Sequence, residues 1–439
     1  MSGAGETHRI SVLPGGVRVV SERMPVVRSV SLGFWIGTGS AAESPGQAGI
    51  SHLLEHMLFR GSARYGSAEI DQIFDGMGAE CNAGTDKEAT SVYTRVLDHH
   101  LRRAFEVIGD MVWHPRFGEL EAEREVVLEE IAMYEDDPQD RVFDVLGEAV
   151  FGDHPLGRPV IGRAEVVAAV TRDDLRAFHA ERYAPGEVVI AAVGSVDHGE
   201  LVELAAAVAP AGGDGGAGAS PAEPAQEPDA GAAGESPDFA RRVRFVEKDT
   251  EQYHVCLGGS GMGREDERRF ALRVLDTILG GGASSRLFQE VRERRGLAYS
   301  VFSFSNLFAH TGEVGLYVGT RPENLAEAMA TIAAELERFV REPADEEELI
   351  RARENVKGRL VLSLESTAAR MNRLGGSVLC ELPILSVEEI IARIDAVGMD
   401  DLGALAGELF APGSLSVAAI GPDEEALLAA LEPLEAVAA

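Results

Sequence analysis

Residues 211–238 contain no aliphatic side chain larger than Ala. A run this long of Ala, Gly, Pro, Ser and acidic residues cannot bury enough apolar surface to offset the entropy of ordering it, so it reads as a flexible linker. It divides the 439-residue chain into 1–210 and 239–439, each the size of one ordinary domain. Whatever fold forms must therefore close twice, once on each side of this break.

Both sides carry the same order of patterns. The first has strand-like runs near 9–13, 17–24 and 29–37, two helices, strand-like runs near 79–83 and 89–96, a long helical stretch and a last strand near 188–193. The second has strand-like runs near 242–246 and 253–257, helices, strands near 298–304 and 313–319, further helices and a last strand near 414–420. One local match anchors the repeat. Ala184-Pro185-Gly186 precedes a strand ending Ala191-Ala192-Val193-Gly194, and Ala411-Pro412-Gly413 precedes one ending Ala418-Ala419-Ile420-Gly421 at identical spacing. The expected architecture is α+β, two homologous domains each built of a sheet with helices.

The chemistry concentrates in Ile50-Ser51-His52-Leu53-Leu54-Glu55-His56-Met57-Leu58-Phe59. Its apolar residues recur at helical spacing and it contains no Gly or Pro, which predicts a buried helix. His52 and His56 then stand one turn apart on one face, close enough for both imidazoles to reach one metal ion. Glu55 lies on the same turn, placed to act as a general base without being a ligand. Two neutral imidazoles plus a carboxylate, with a fourth position left open for water, suit a catalytic Zn²⁺. The pattern H-x-x-E-H is the inverzincin signature.

A third protein ligand is sought in the Glu-rich helical stretch 121–134. Glu130 shares a stripe with Val126, Val127, Met133 and Tyr134, and Glu123 lies two turns back on it. A carboxylate on an apolar stripe is costly unless paired or metal-bound. Glu130 is therefore assigned as ligand and Glu123 as the group that orients it or a ligand histidine. Glu129, rotated by about 100°, is the alternative. Laying the two halves together puts Arg273, Asp276 and Thr277 opposite His52, Glu55 and His56, so the second half is expected to hold no metal site.

The combination of HLLEH with the run Glu123-Arg124-Glu125-Val126-Val127-Leu128-Glu129-Glu130-Ile131 resembles the M16 metallopeptidases, the group of pitrilysin, insulin-degrading enzyme and the mitochondrial processing peptidase β subunit, and above all its short bacterial members. The resemblance covers essentially the whole chain and implies two domains of the LuxS/MPP-like type. It implies that the run Asn82-Ala83-Gly84-Thr85-Asp86-Lys87-Glu88-Ala89-Thr90 is a substrate-binding edge strand, with Asn82 and Ala83 as the main-chain contacts of a peptide that adds as a further strand. Gly84 stands where many relatives carry a bulky aromatic. In the second half the family's Arg and Tyr, seven residues apart, fall on Arg292 and Tyr299, where they would bind the substrate carbonyl and act as donors to a developing oxyanion. From the residues alone Arg294 and Arg295 compete with Arg292 for that assignment.

The implied activity is zinc-dependent endoproteolysis of unstructured or small peptides inside a clamshell chamber, with one Zn²⁺ per chain. A dedicated peptidase maturing one peptide or leader, or a non-catalytic scaffold subunit of the same fold, are the alternatives. Since relatives of full length use four such domains, the resemblance also implies a homodimer, or a heterodimer with a paralogue. The formal net charge of −33 argues against nucleic acid and anionic membrane surfaces as partners and agrees with peptides bearing Lys or Arg near the cut. Cys81, Cys256 and Cys380 are odd in number and far apart, so no disulfide framework or cysteine metal site is expected. The absence of a basic, apolar leader pattern and of any span-length apolar run makes a cytoplasmic protein the expectation.

Overall fold

In the computed structural model, residues 8–210 and 236–436 are described; the expected linker lies outside them except for 236–238. The first sheet has six strands: β1 (His8–Val12), β2 (Arg18–Arg23), β3 (Ser29–Ile36), β4 (Cys81–Thr85), β5 (Thr90–Leu97) and β6 (Val188–Gly194). They run in the order β1-β2-β6-β3-β5-β4. The second has five: β7 (Val243–Glu247), β8 (Tyr253–Gly261), β9 (Ala298–Leu307), β10 (Gly312–Thr320) and β11 (Ser416–Gly421), ordered β7-β11-β8-β10-β9.

The repeat read from the sequence is a repeat of topology. β6 lies parallel to β2 and antiparallel to β3. β11 lies parallel to β7 and antiparallel to β8. The two Ala-Pro-Gly turns thus feed the same interior position of their sheets, where every residue of both strands is buried. Continuous apolar runs without alternation are what an interior strand covered on both faces requires.

Alternate residues of the first sheet face two different layers. Leu32, Phe34, Ile36, Val188 and Ile190 join the main core with the helices Ile50–Leu58 and Leu101–Trp113. Val20, Trp35, Val189, Ala191 and Val193 face the other way, onto Met371, Leu374 and Val378 of the helix Thr367–Leu379. Gly375 makes room for Trp35, since a Cβ there would lie 2.5 Å from the indole.

Two compact units result, and each contains residues from both halves of the sequence. Among the described residues, one gathers 8–131, 159–210 and Leu362–Ile384; the other gathers Ala132–Arg158, 236–361 and 385–436. In the second unit the helix Pro138–Phe151 plays the covering role, with Phe143 packed on Phe302, Phe304 and Tyr317. Mixed sheets with helices on both faces, twice over, make the fold α+β with two domains of one type. No helix among the described residues is long and apolar enough to cross a membrane.

Candidate metal centre

The helix Ile50–Leu58 begins sharply. Gly49 has φ of +101°, and a Cβ there would come within 2.9 Å of Gly162 and Ile161, so both conformation and space call for Gly. The buried Glu43 carboxylate accepts from the Gly49 and Ser51 main-chain N–H groups, each at 2.8 Å, and caps the helix where its dipole favours a negative charge. Leu53, Leu54, Met57 and Leu58 fill the core, which leaves His52, Glu55 and His56 on the half-exposed side.

There the two imidazoles stand edge to face with ring centres 4.7 Å apart. Their Nε2 atoms converge on one oxygen, Glu130 Oε2, at 3.8 Å from His52 and 3.3 Å from His56. One donor atom from each of the three residues lies within 4.8 Å of the other two, the one such group among the described residues. Glu123 is almost fully buried; its Oε1 lies 2.8 Å from His56 Nδ1 and its Oε2 accepts from Arg60. A carboxylate only accepts, so the Glu123 contact calls for a proton on His56 Nδ1 and leaves Nε2 as the atom turned toward the Glu130 and His52 donor atoms, available to a shared metal ion. Burial, and secondarily His56, pulls the His52 pKa down to about 4, which keeps that ring neutral. Neutral imidazoles with directed lone pairs beside a carboxylate are the form in which these residues bind Zn²⁺, so the donor set fits that ion.

The helix Leu120–Asp136 supplies Glu123 and Glu130, but not for the reason the sequence suggests. Its buried residues are Leu120, Glu123, Val127 and Ile131. Val126, Met133 and Tyr134, read as an apolar stripe with Glu130, are exposed, Met133 by 66%. Glu130 instead follows Val127 and Glu123 at three- and seven-residue spacing, on the flank of the buried side. Glu129 points to solvent.

Glu55 is largely buried, and burial pushes its pKa up, opposed by a hydrogen bond from Thr85. Thr85 Oγ1 donates to Glu55 Oε2 at 2.5 Å. Thr85 ends β4, the outermost strand, whose burial alternates and whose partner is β5 alone. The Asp86 N–H bonds the Ala89 carbonyl across the hairpin, and Thr85 stands opposite Thr90. By antiparallel alternation Gly84 and Asn82 direct their main-chain groups to β5, whereas Ala83 and Thr85 direct theirs to the open side. Ala83 thus offers N–H and C=O to an incoming strand, whereas Asn82, expected as a second main-chain contact, turns its main-chain groups to β5 and offers only its exposed side chain. A Cβ on Gly84 would meet nothing within 4 Å, so the space beside it is open.

In the other unit Arg292 lies on a π-helical turn, Phe288–Arg294, and Tyr299 near the start of β9. The Arg292 guanidinium stacks between the rings of Phe288 and Tyr299, 4.6 and 4.4 Å from their centres. Arg294 and Arg295 are both held by the buried Glu290 carboxylate, which distinguishes them from Arg292. Gly296, at φ of +65°, turns the chain from the π-turn into β9. Arg292 and the 78%-exposed Tyr299 line a groove of about 320 Å³ with Gln252, Thr320 and Arg321. Glu43, Arg60 and Glu290 have no part in the sequence reading of the site, and Thr85 enters it only as one residue of the edge strand, not as a partner of Glu55. Of these only Arg60, one turn beyond His56, carries a positional signal.

The model of the insulinase family, peptidase family M16, matches residues 18–164, and that of the peptidase M16 inactive domain matches 169–356. An uncharacterized zinc protease of Streptomyces coelicolor is 43% identical over 95% of this chain and 90% of its own length. Another, of Bacillus subtilis, is 40% identical over 90% of this chain and 94% of its own. Among solved structures, a peptidase M16 inactive domain from Pseudomonas fluorescens superposes with a TM-score of 0.85 at 24% identity, covering 95% of this chain and 99% of that one. A protease from Helicobacter pylori gives 0.84 at 22% identity, covering 94% and 99%. These two likenesses establish the fold, and the family matches and full-length relatives establish descent: the chain belongs to peptidase family M16.

Proposed function

We propose that this chain is a zinc-dependent endopeptidase acting on extended, unstructured peptides. The observation that carries the reading is the convergence of His52 Nε2, His56 Nε2 and Glu130 Oε2 within 4.8 Å, beside the buried carboxylate of Glu55 and next to an open sheet edge. His52, His56 and Glu130 would hold one Zn²⁺ per chain, which when bound polarises a peptide carbonyl and acidifies water.

The remaining work falls to the protein's own groups. A peptide pairs with the outward main-chain groups of Ala83, and Asn82 adds a side-chain contact. Glu55 takes the proton of the attacking water and passes it to the leaving amine nitrogen; its raised pKa suits a group that must both accept and return a proton. Glu123 holds the His56 ring in its tautomer and Arg60 holds Glu123. For Arg292 and Tyr299 the proposed role is hydrogen bonding to the substrate carbonyl; the support for it is the family resemblance and the exposure of Tyr299 beside the Arg292 guanidinium, whose Nε lies 3.6 Å from Glu293 Oε1.

The test is mass spectrometry of peptide digests with and without a zinc chelator. Cleavage that stops with chelator and returns with added zinc supports the reading; cleavage unaffected by complete removal of metal overturns it. Strand addition needs an extended chain, so one sequence should be cut as a free peptide and spared inside a stably folded host.

A further inference from the structure

Thr85 stands where two functions meet. It is the last residue of the outermost strand, the edge offered to a peptide, and its hydroxyl lies 2.5 Å from Glu55 Oε2. The direction of that hydrogen bond is fixed by its neighbours. The other oxygen near Thr85 Oγ1 is Thr90 Oγ1 at 3.4 Å, and Thr90 gives its own proton to the Thr38 carbonyl at 2.9 Å. A carboxylate accepts only, so Thr85 donates to Glu55 and pins Oε2. Outward-facing residues of a strand are two apart, about 7 Å. A peptide strand paired with Ala83 therefore runs directly toward the carboxylate held by the next outward position.

We propose that Thr85 is a positioning residue for Glu55, fixing its carboxylate relative to the peptide-binding edge so that strand addition and proton transfer share one frame. Thr85 touches Glu55 and not the reacting atoms, so its contribution belongs in kcat and not in peptide affinity. This rests on the reading of Glu55 as the base.

The experiment compares Thr85→Val, Thr85→Ala, Thr85→Ser and Glu55→Gln on a quenched fluorogenic peptide that the wild-type protein cleaves, with zinc content measured for each. Thr85→Val keeps the side-chain shape and removes the donor; it should lower kcat by about 10- to 100-fold, the worth of a hydrogen bond to a charged group. KM should stay within about twofold and zinc content should be unchanged. Thr85→Ala should do the same, so that loss of the hydroxyl is read in two side chains. Thr85→Ser, which restores the donor, should recover most of the rate. In the Glu55→Gln background, where nothing is cut, fluorescence anisotropy should give equal affinity for the labelled peptide with Thr85 or Val at position 85. Wild-type kcat in both Thr85→Val and Thr85→Ala, or a Thr85→Ser as impaired as Thr85→Val, overturns the proposal while leaving Glu55 as the base. Undiminished hydrolysis by Glu55→Gln overturns the reading of the base itself, whatever the Thr85 variants do.

Discussion

The helices Ile50–Leu58 and Arg269–Leu279 each aim one carboxylate at a hydroxyl on the outermost strand of their sheet. In the first unit Thr85 of β4 donates to Glu55; in the second Ser303 of β9 donates to Asp276. Both carboxylates are buried enough for their pKa values to rise. The surroundings differ. Glu55 has His52 and His56 at −3 and +1, whereas Asp276 has Arg273 and Thr277. The Thr277 hydroxyl is used up on the Arg273 carbonyl of its own helix at 2.9 Å, and the positive charges felt by Asp276 are the guanidiniums of Arg273 and Arg359. A carboxylate bonded to an edge-strand hydroxyl is thus a feature of both repeats. What sets the first apart is the pair of imidazoles and the two glutamates brought up by the helix Leu120–Asp136.

The largest effect should separate the two carboxylates outright. Glu55→Gln removes the base and is expected to lower kcat by about 10²–10⁴-fold with zinc retained, while Asp276→Asn leaves kcat unchanged. Steady-state hydrolysis with metal analysis of both proteins decides it; equal losses would mean that the two sites are not chemically distinct.

Next in size is Tyr299→Phe, which deletes only an exposed phenolic hydroxyl. If that hydroxyl donates to the oxyanion, kcat should fall roughly 10²–10³-fold with zinc content unchanged. A rate within about twofold of wild type would remove Tyr299 from the reaction and leave Arg292 as the second unit's one assigned donor.

A smaller effect is expected behind the ligands. Glu123→Gln breaks the charged link from Arg60 through Glu123 to His56 Nδ1 and should weaken zinc about 10- to 100-fold in competition with a chromophoric chelator. Ser303→Ala, which cuts the second unit's counterpart of the Thr85–Glu55 bond and touches no ligand support, should change thermal stability and leave zinc affinity alone.

The same comparison shows where the sequence is informative. The Ala-Pro-Gly turns before β6 and β11 state the duplication because an interior strand needs uninterrupted apolar residues, a local pattern. His52 and His56 are legible because helical spacing alone stacks them. The sequence reaches Glu130 through a stripe that is exposed at Val126, Met133 and Tyr134; the correct register is set by Glu123 and Val127, whose burial depends on packing against other elements. The contact of Thr85 with Glu55 is invisible for a related reason, since the two are thirty residues apart and the hairpin register decides which way the groups of Thr85 face. The placement of Thr367–Leu379 on the first sheet and of Pro138–Phe151 on the second follows from no local signal. An amphipathic helix specifies that it must be covered but not by which sheet.

The smallest effect tests whether Asp276 is merely tolerated. Burial raises its pKa above the ordinary 3.8, against the pull of Ser303, Arg273 and Arg359, so the folded protein holds the proton more tightly than the unfolded chain does. For an acid with a raised folded-state pKa, the ionised form costs stability. That cost is absent below the ordinary Asp range and develops as pH rises through the folded-state value. Asp276→Asn keeps an oxygen to accept from Ser303 and cannot ionise. Its thermal midpoint relative to wild type should therefore improve from acidic to neutral pH, with activity unchanged throughout. A series of melts from about pH 3, below the ordinary Asp value, up to neutral pH is sufficient. If the variant instead loses ground as pH rises, Asp276 is stabilised as a carboxylate by its two guanidiniums, and the second repeat has replaced the metal with a structural charge pair.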